Sequence, residues 1–170
     1  MHPDKVAKAA SKKEAENLEF RRFLKGHADE AELDQQFLDL HNELFSIYDC
    51  DSCRNCCKLA TPLLSKEEIT SISSLLEMPE VAFIKMYLKP ENDYELPTTY
   101  AVQGPPCAFL GPDDNCLIDE CMPRECRYYP YTDQPERLSS MLAVLENTFV
   151  CPVVFEIVER LKKAYYFKRS

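Results

Sequence analysis

The sequence predicts a mainly α-helical fold with one small β-hairpin, gathered into a single compact cysteine-rich domain. Three observations lead there. Apolar residues recur at three- and four-residue steps in several separate segments, which marks amphipathic helices. Cys107-Ala108-Phe109-Leu110 and Cys116-Leu117-Ile118 flank Gly111-Pro112-Asp113-Asp114-Asn115, a turn-rich loop between two short runs. A chain of 170 residues with 45% hydrophobic content is long enough to bury a core of its own.

The elements follow in order. Residues 1–17 are mostly Lys, Ala and Glu. They read as a polar N-terminal extension, helical or mobile, ahead of one domain over 18–170. Leu18, Phe20, Phe23 and Leu24 tighten the pattern, and Gly26 breaks it. Leu33, Phe37, Leu40, Leu44 and Ile47 share one face of a helix that delivers the chain into Cys50. The 50–57 run itself reads as a tight, irregular loop. Ser65 with Glu68 is a capping box, and Ile69, Ile72, Leu75 and Leu76 line the helix behind it. Pro79 suits the first turn of another helix, with Val81, Ile84 and Leu88 inward. Residues 89–97 read as a loop, 98–102 as a strand and Gly104-Pro105-Pro106 as a turn. The hairpin at 107–118 can bring Cys107 close to Cys116. A short helix from Pro123 carries Cys126 and Arg127. Leu138, Met141, Leu142 and Leu145 mark a further helix, with a strand towards Val150 as the alternative. Pro152 opens the last helix, whose buried stripe is Val153, Val154, Ile157, Val158, Leu161 and Tyr165. Its wet side pairs Glu156 with Arg160 and Glu159 with Lys163.

Composition removes several function classes. A net charge of −9 argues against general nucleic-acid binding. With three glycines the chain carries neither G-x-G-x-x-G nor G-x-x-x-x-G-K, so nucleotide-cradling loops lack support. No apolar run serves as a signal peptide or a membrane span, which leads to the expectation of a cytoplasmic protein. Acid is concentrated in Asp29, Glu30, Glu32, Asp34, Asp39, Glu43, Asp49 and Asp51, with no Lys or Arg between them. That stretch reads first as a solvated helix face, and second as a surface for a basic protein partner. Arg160, Lys162, Lys163, Lys168 and Arg169 suit the C-terminal end of a helix dipole.

The cysteines carry the chemistry. Cys50, Cys53, Cys56 and Cys57 form C-x2-C-x2-C-C, and Cys107, Cys116, Cys121, Cys126 and Cys151 follow. C-x2-C spacing lets two sulfurs converge on one ion, and thiolates select zinc, copper(I) or iron–sulfur clusters. A disulfide scaffold fits less well. The count of nine is odd, adjacent Cys56 and Cys57 make a strained bridge, and reducing compartments keep thiols reduced. Metal ligation by these cysteines is therefore the leading reading. Three cysteines in consecutive C-x2-C steps favour an iron–sulfur cluster somewhat over zinc, since a zinc ribbon shows two separated pairs. Adjacent Cys56 and Cys57 point in different directions if extended, so they could serve two centres. His41 lies too far ahead of Cys50 to be a local ligand. Arg54 and Arg127, each beside cysteines, are candidates to hydrogen-bond sulfur or balance its charge, with an ordinary surface salt bridge as the equal alternative.

These residues resemble the CxxCxxCC cysteine-cluster family, also called YkgJ-like and described as a zinc- or iron-chelating domain. Beyond the C-x2-C-x2-C-C run, the resemblance includes Pro106-Cys107-Ala108-Phe109-Leu110, Cys116-Leu117-Ile118-Asp119-Glu120, Pro123-Arg124-Glu125-Cys126-Arg127-Tyr128-Tyr129-Pro130 and Cys151-Pro152. Asp119 and Met122 depart from the Tyr and Arg usual there. The resemblance implies metal ligands at Cys50, Cys53, Cys56, Cys57, Cys107, Cys116, Cys126 and Cys151, with Cys121 as a spare thiol. The bound group would be zinc or iron, including an iron–sulfur cluster. Flagellin lysine methylases have a similar cysteine cluster, but nothing here reads as a methyl-donor site. The expected function is electron or iron handling, or support of a partner enzyme. A metal-dependent enzyme and a zinc-stapled interaction module are the alternatives.

Overall fold

A computed structural model describes residues 1–90 and 100–168. Of the loop expected over 89–97, residues 91–97 lie outside the described residues, as do Thr98 and Thr99 at the start of the expected strand and Arg169, whereas Lys89 and Pro90 belong to a strand that pairs with 100–102. The fold class is as the sequence predicts, mainly helical with a little antiparallel sheet. The chain gathers into two compact units. One is Met1–Asn55 with Pro130–Ser170, and the other is Cys56–Tyr129. The units divide beside Cys56 and Pro130.

The first unit is helical. A 3-10 turn over Pro3–Lys5 leads into α1 (Val6–His27), which runs unbroken through the stretch read as an extension. Gly26 falls in its last turn and does not break it. Val6 and Ala10 are buried against Phe155, so the first turns of α1 belong to the core despite their charged neighbours. Asp29 caps α2 (Glu30–Phe45) by accepting from the Glu32 N–H at 3.0 Å. Leu33, Phe37 and Leu44 face inward, whereas Ile47, beyond the helix end, is 81% exposed. α8 (Met141–Asn147) takes the helical alternative; Met141 and Leu145 are buried, but Leu142 points outward. α9 (Pro152–Ala164) buries Val153, Val154, Ile157, Val158 and Leu161 and packs against α1, α2 and α8. Phe20 and Phe23 of α1 close one end against Tyr165 and Phe167, with ring centroids 5.2–6.3 Å apart.

Polar groups lock this unit. Lys162, not Lys163, takes Glu159 (2.6 Å), and it also takes Glu16 of α1 at 2.9 Å. Lys162 is buried on the α1-facing side of α9, where both carboxylates reach it, while Lys163 is exposed. The expected pair of Glu156 with Arg160 forms at 2.9 Å, and Glu43 joins it at 2.7 Å. Asp34 accepts from the Glu136 and Arg137 N–H groups, both at 2.8 Å. Much of the acidic stretch is thus employed in caps and ion pairs inside the unit.

The second unit is a small sheet under two helices. β1 (Leu63–Leu64), β2 (Leu88–Pro90) and β3 (Tyr100–Val102) are antiparallel in the order β1-β3-β2, with Leu64 opposite Tyr100 and Leu88 opposite Val102. α5 (Lys66–Leu75) begins with the expected capping box. In α6 (Glu80–Tyr87), Val81 is 80% exposed and Phe83 is fully buried. The inward face is rotated from the one expected because Phe83 stacks on Phe109 at 6.0 Å between centroids and Tyr87 packs tilted against the same ring at 5.2 Å. Leu64, Ile69, Ile72, Phe83, Leu88, Val102, Phe109 and Ile118 make the core. The hairpin expected at 107–118 is reduced to one antiparallel bridge, Leu110 to Cys116, closed by Gly111 N–H to Asn115 O at 2.8 Å. Its flanks are turns because Phe109 and Ile118 are drawn into the core. A 3-10 turn over Asp119–Cys121 and α7 (Arg124–Tyr128) complete the unit.

Candidate metal centre

The C-x2-C-x2-C-C run is two short helical turns rather than a loop. Asp49 starts α3 (Cys50–Cys53), its carboxylate accepting from the Ser52 N–H at 3.0 Å. Arg54 ends it in the left-handed region at φ 47°, its N–H bonding Cys50 O at 3.0 Å. A non-glycine residue there costs about 1 kcal/mol or more. α4 (Asn55–Leu59) then carries Cys56 and Cys57. One left-handed residue therefore divides the four thiols into two pairs.

Each pair is joined by later cysteines of its own unit. In the first unit, Cys50 and Cys53 are neighbours of Cys151, the residue before α9. Asn55 helps place that turn: its buried amide donates to Val150 O at 2.6 Å. The Tyr48 hydroxyl neighbours the Cys53 sulfur. Arg54 is held by Asp51 at 2.8 Å, and its Nε is buried with no hydrogen-bond partner.

In the second unit, Cys56, Cys57, Cys107, Cys116 and Cys126 are linked neighbours drawn from three segments. Cys56 and Cys57 have sulfurs 4.0 Å apart. The Cys107 N–H bonds Cys57 O at 2.8 Å, and Lys58 reaches Asp114 of the 111–115 turn at 2.9 Å. α7, which carries Cys126, is held by two carboxylates. Glu125 accepts from the Leu63 N–H at 2.8 Å, and Glu68 accepts from the Arg124 N–H at 2.7 Å. Cys107, Cys116 and Cys121 pack against the apolar core.

The electrostatics of both groups disfavour thiolates that lack a counter-charge. Burial pushes Cys151 up to about 11, with the charges of Cys50 and Cys53 adding, while the N–H groups of Val154 and Val153 act the other way. Burial also raises Cys50, supported by Cys53, Asp51 and Asp49 and opposed by Arg54. Desolvation raises Tyr48 well above the phenol range, and its bond to Cys53 adds to this. In the other group burial carries Cys126 up to about 12, followed by the charges of Cys107, Cys57 and Cys116. Cys56 is raised first by its contact with Cys57 and then by burial. Cys107 is raised by burial, against the N–H groups of Phe109 and Leu110 that point at its sulfur.

The donor sets fit a thiophilic cation. Several soft sulfurs share each locality, backbone N–H groups are aimed at two of them, and their mutual repulsion is what a bound cation relieves. As the side chains stand, no three His, Cys, Asp or Glu groups among the described residues are gathered closely enough to hold a metal ion. Of the two arginines considered from sequence, Arg54 lies beside Cys50, and Arg127 donates to Met122 O at 3.2 Å. His41 is engaged elsewhere, with Thr132 at 2.8 Å and the Phe45 ring at 4.6 Å. Sequence reasoning missed Tyr48, Asn55 and Glu125. Each stands within two residues of a cysteine, but only the folded chain shows what its polar atom reaches.

Fold and site together define a helical cysteine-cluster protein. The chain matches the CxxCxxCC family, a "putative zinc- or iron-chelating domain", over residues 49–152, which is more than half of its length and includes all nine cysteines. The protein belongs to that family. No curated protein and no solved structure matches the chain. Among the described residues, no helix is long and apolar enough to cross a membrane.

Proposed function

We propose that the protein holds an iron–sulfur cluster or zinc on its cysteines and works in electron or iron handling or beside a partner enzyme. The supporting observation is the group of five thiols in the second unit, drawn from α4, the 107–116 turns and α7. Such a set has no use as packing alone, since burying one thiol against another gains little and raises the cost of ionising either. Five sulfurs satisfy the four positions of a tetrahedral zinc or of a four-cysteine cluster and leave one over.

Chemistry separates the two metals directly. Protein purified anaerobically is brown with an iron–sulfur cluster and colourless with zinc, and metal and acid-labile sulfide analysis gives the stoichiometry. A chain that carries neither metal after anaerobic purification and reloading refutes the proposal.

A further inference from the structure

We infer that Cys56 and Cys57 are a reversible redox pair, which closes to a vicinal disulfide against a small-molecule disulfide and reopens with a thiol reductant. The inference concerns the thiols themselves and needs no metal. Its basis is geometric. The two sulfurs lie 4.0 Å apart in an S–H···S contact, on the five-residue turn of α4. Both cysteines are partly exposed, so a small disulfide such as oxidised glutathione reaches them, whereas Cys151 is buried.

The exchange balances. One sulfur, as thiolate, attacks the glutathione disulfide, forms a mixed disulfide and expels one glutathione thiolate, which takes up the proton. The neighbouring sulfur, already in contact, attacks the protein sulfur of that intermediate and expels the second glutathione. The pair has then lost two electrons and two protons, and two glutathione thiols carry them. Proximity makes the second step intramolecular, so it outruns attack by a free thiol.

The product is strained. Adjacent Cα atoms are about 3.8 Å apart, closer than the roughly 4.4–6.8 Å of ordinary disulfides. Successive side chains on a helix also diverge by about 100°. A sulfur–sulfur bond of about 2.05 Å therefore forms only as α4 opens. Two backbone bonds anchored on the pair go with it, Ala60 N–H to Cys56 O and Cys107 N–H to Cys57 O, both 2.8 Å. Strained disulfides are the readily reduced ones, so the bridge is a switch that takes two sulfurs out of the second unit's set and returns them on reduction.

The test uses the full chain, freed of metal, treated with oxidised glutathione, quenched in acid and alkylated. Trypsin cuts after Arg54 and Lys58, so it releases Asn55-Cys56-Cys57-Lys58, a peptide that holds this pair and no other cysteine. In the oxidised sample that peptide is expected unalkylated and lighter by two hydrogen atoms. After dithiothreitol it is expected alkylated on both sulfurs. Both sulfurs alkylated in the oxidised sample, or either one joined to glutathione or to another peptide, overturns the inference. Hydrogen exchange gives a second readout. The Ala60 and Cys107 amides are expected to exchange faster in the oxidised wild-type chain, and Cys57→Ser, treated alike, to show no such gain. No gain in the wild type, or an equal gain in the variant, overturns the opening of α4.

Discussion

Asn55→Ala tests whether the first thiol group is held by tertiary contact. The Asn55 side chain is 7% exposed, and its Nδ2 donates to Val150 O at 2.6 Å, one residue before Cys151. Alanine removes that donor and leaves the carbonyl facing a space from which water is largely excluded. Leaving a buried polar group without its partner costs about 1–3 kcal/mol. At about 2 kcal/mol the folded-to-unfolded ratio falls roughly thirtyfold, and the melting midpoint drops by about 4–8 °C for a chain of this size. Urea unfolding followed by circular dichroism, compared at equal m-value, measures the loss. Asn55→Asp keeps the shape but sets a carboxylate oxygen against the carbonyl, so it is expected to cost at least as much. A loss below about 0.5 kcal/mol in both variants, the range of an ordinary surface change, would refute the view that this bond seats the Cys151 turn.

Other outcomes follow from the same geometry. Lys162→Met leaves Glu16 and Glu159 paired with Lys13, and the loss is expected at about 2–4 kcal/mol, below the full value for a broken buried pair because both carboxylates are 21% exposed; thermal denaturation reads it. Desolvation holds His41 below its ordinary value of 6.5, against the charge of Asp133. The unfolded chain therefore takes up a proton first as pH falls, and His41's share of stability is present above that value and lost below it. Urea midpoints between pH 7.5 and 5 should show this slope, and His41→Gln should flatten it. Cys121→Ser is expected to leave metal stoichiometry unchanged and Cys53→Ser to lower it, as measured by elemental analysis. Hydrogen exchange with and without metal should change most around the cysteine segments, and uniform loss of protection along the chain would contradict that expectation.

Much of this protein was legible in the sequence, and the reasons are local. A 3.6-residue apolar period, a capping box at Ser65 and Glu68, and prolines at the starts of α6, α7 and α9 each act within a few residues, so they place helices without reference to the rest of the chain. The thiols and their affinity for soft metals are likewise properties of side chains and spacing. What only the tertiary structure decided is which residue meets which. Val81 and Phe83 are both apolar, and the ring of Phe109 chose between them. Lys162 and Lys163 are both within reach of Glu159, and packing against α1 chose the buried one. The partition of the cysteines is of the same kind. Nothing in C-x2-C-x2-C-C announces that Arg54 will turn left-handed, and no spacing shows that Cys151 returns to Cys50 while Cys107 and Cys126 come to Cys57. Those choices depend on contacts between residues far apart in sequence, and a linear pattern carries no information about such contacts until the chain has folded.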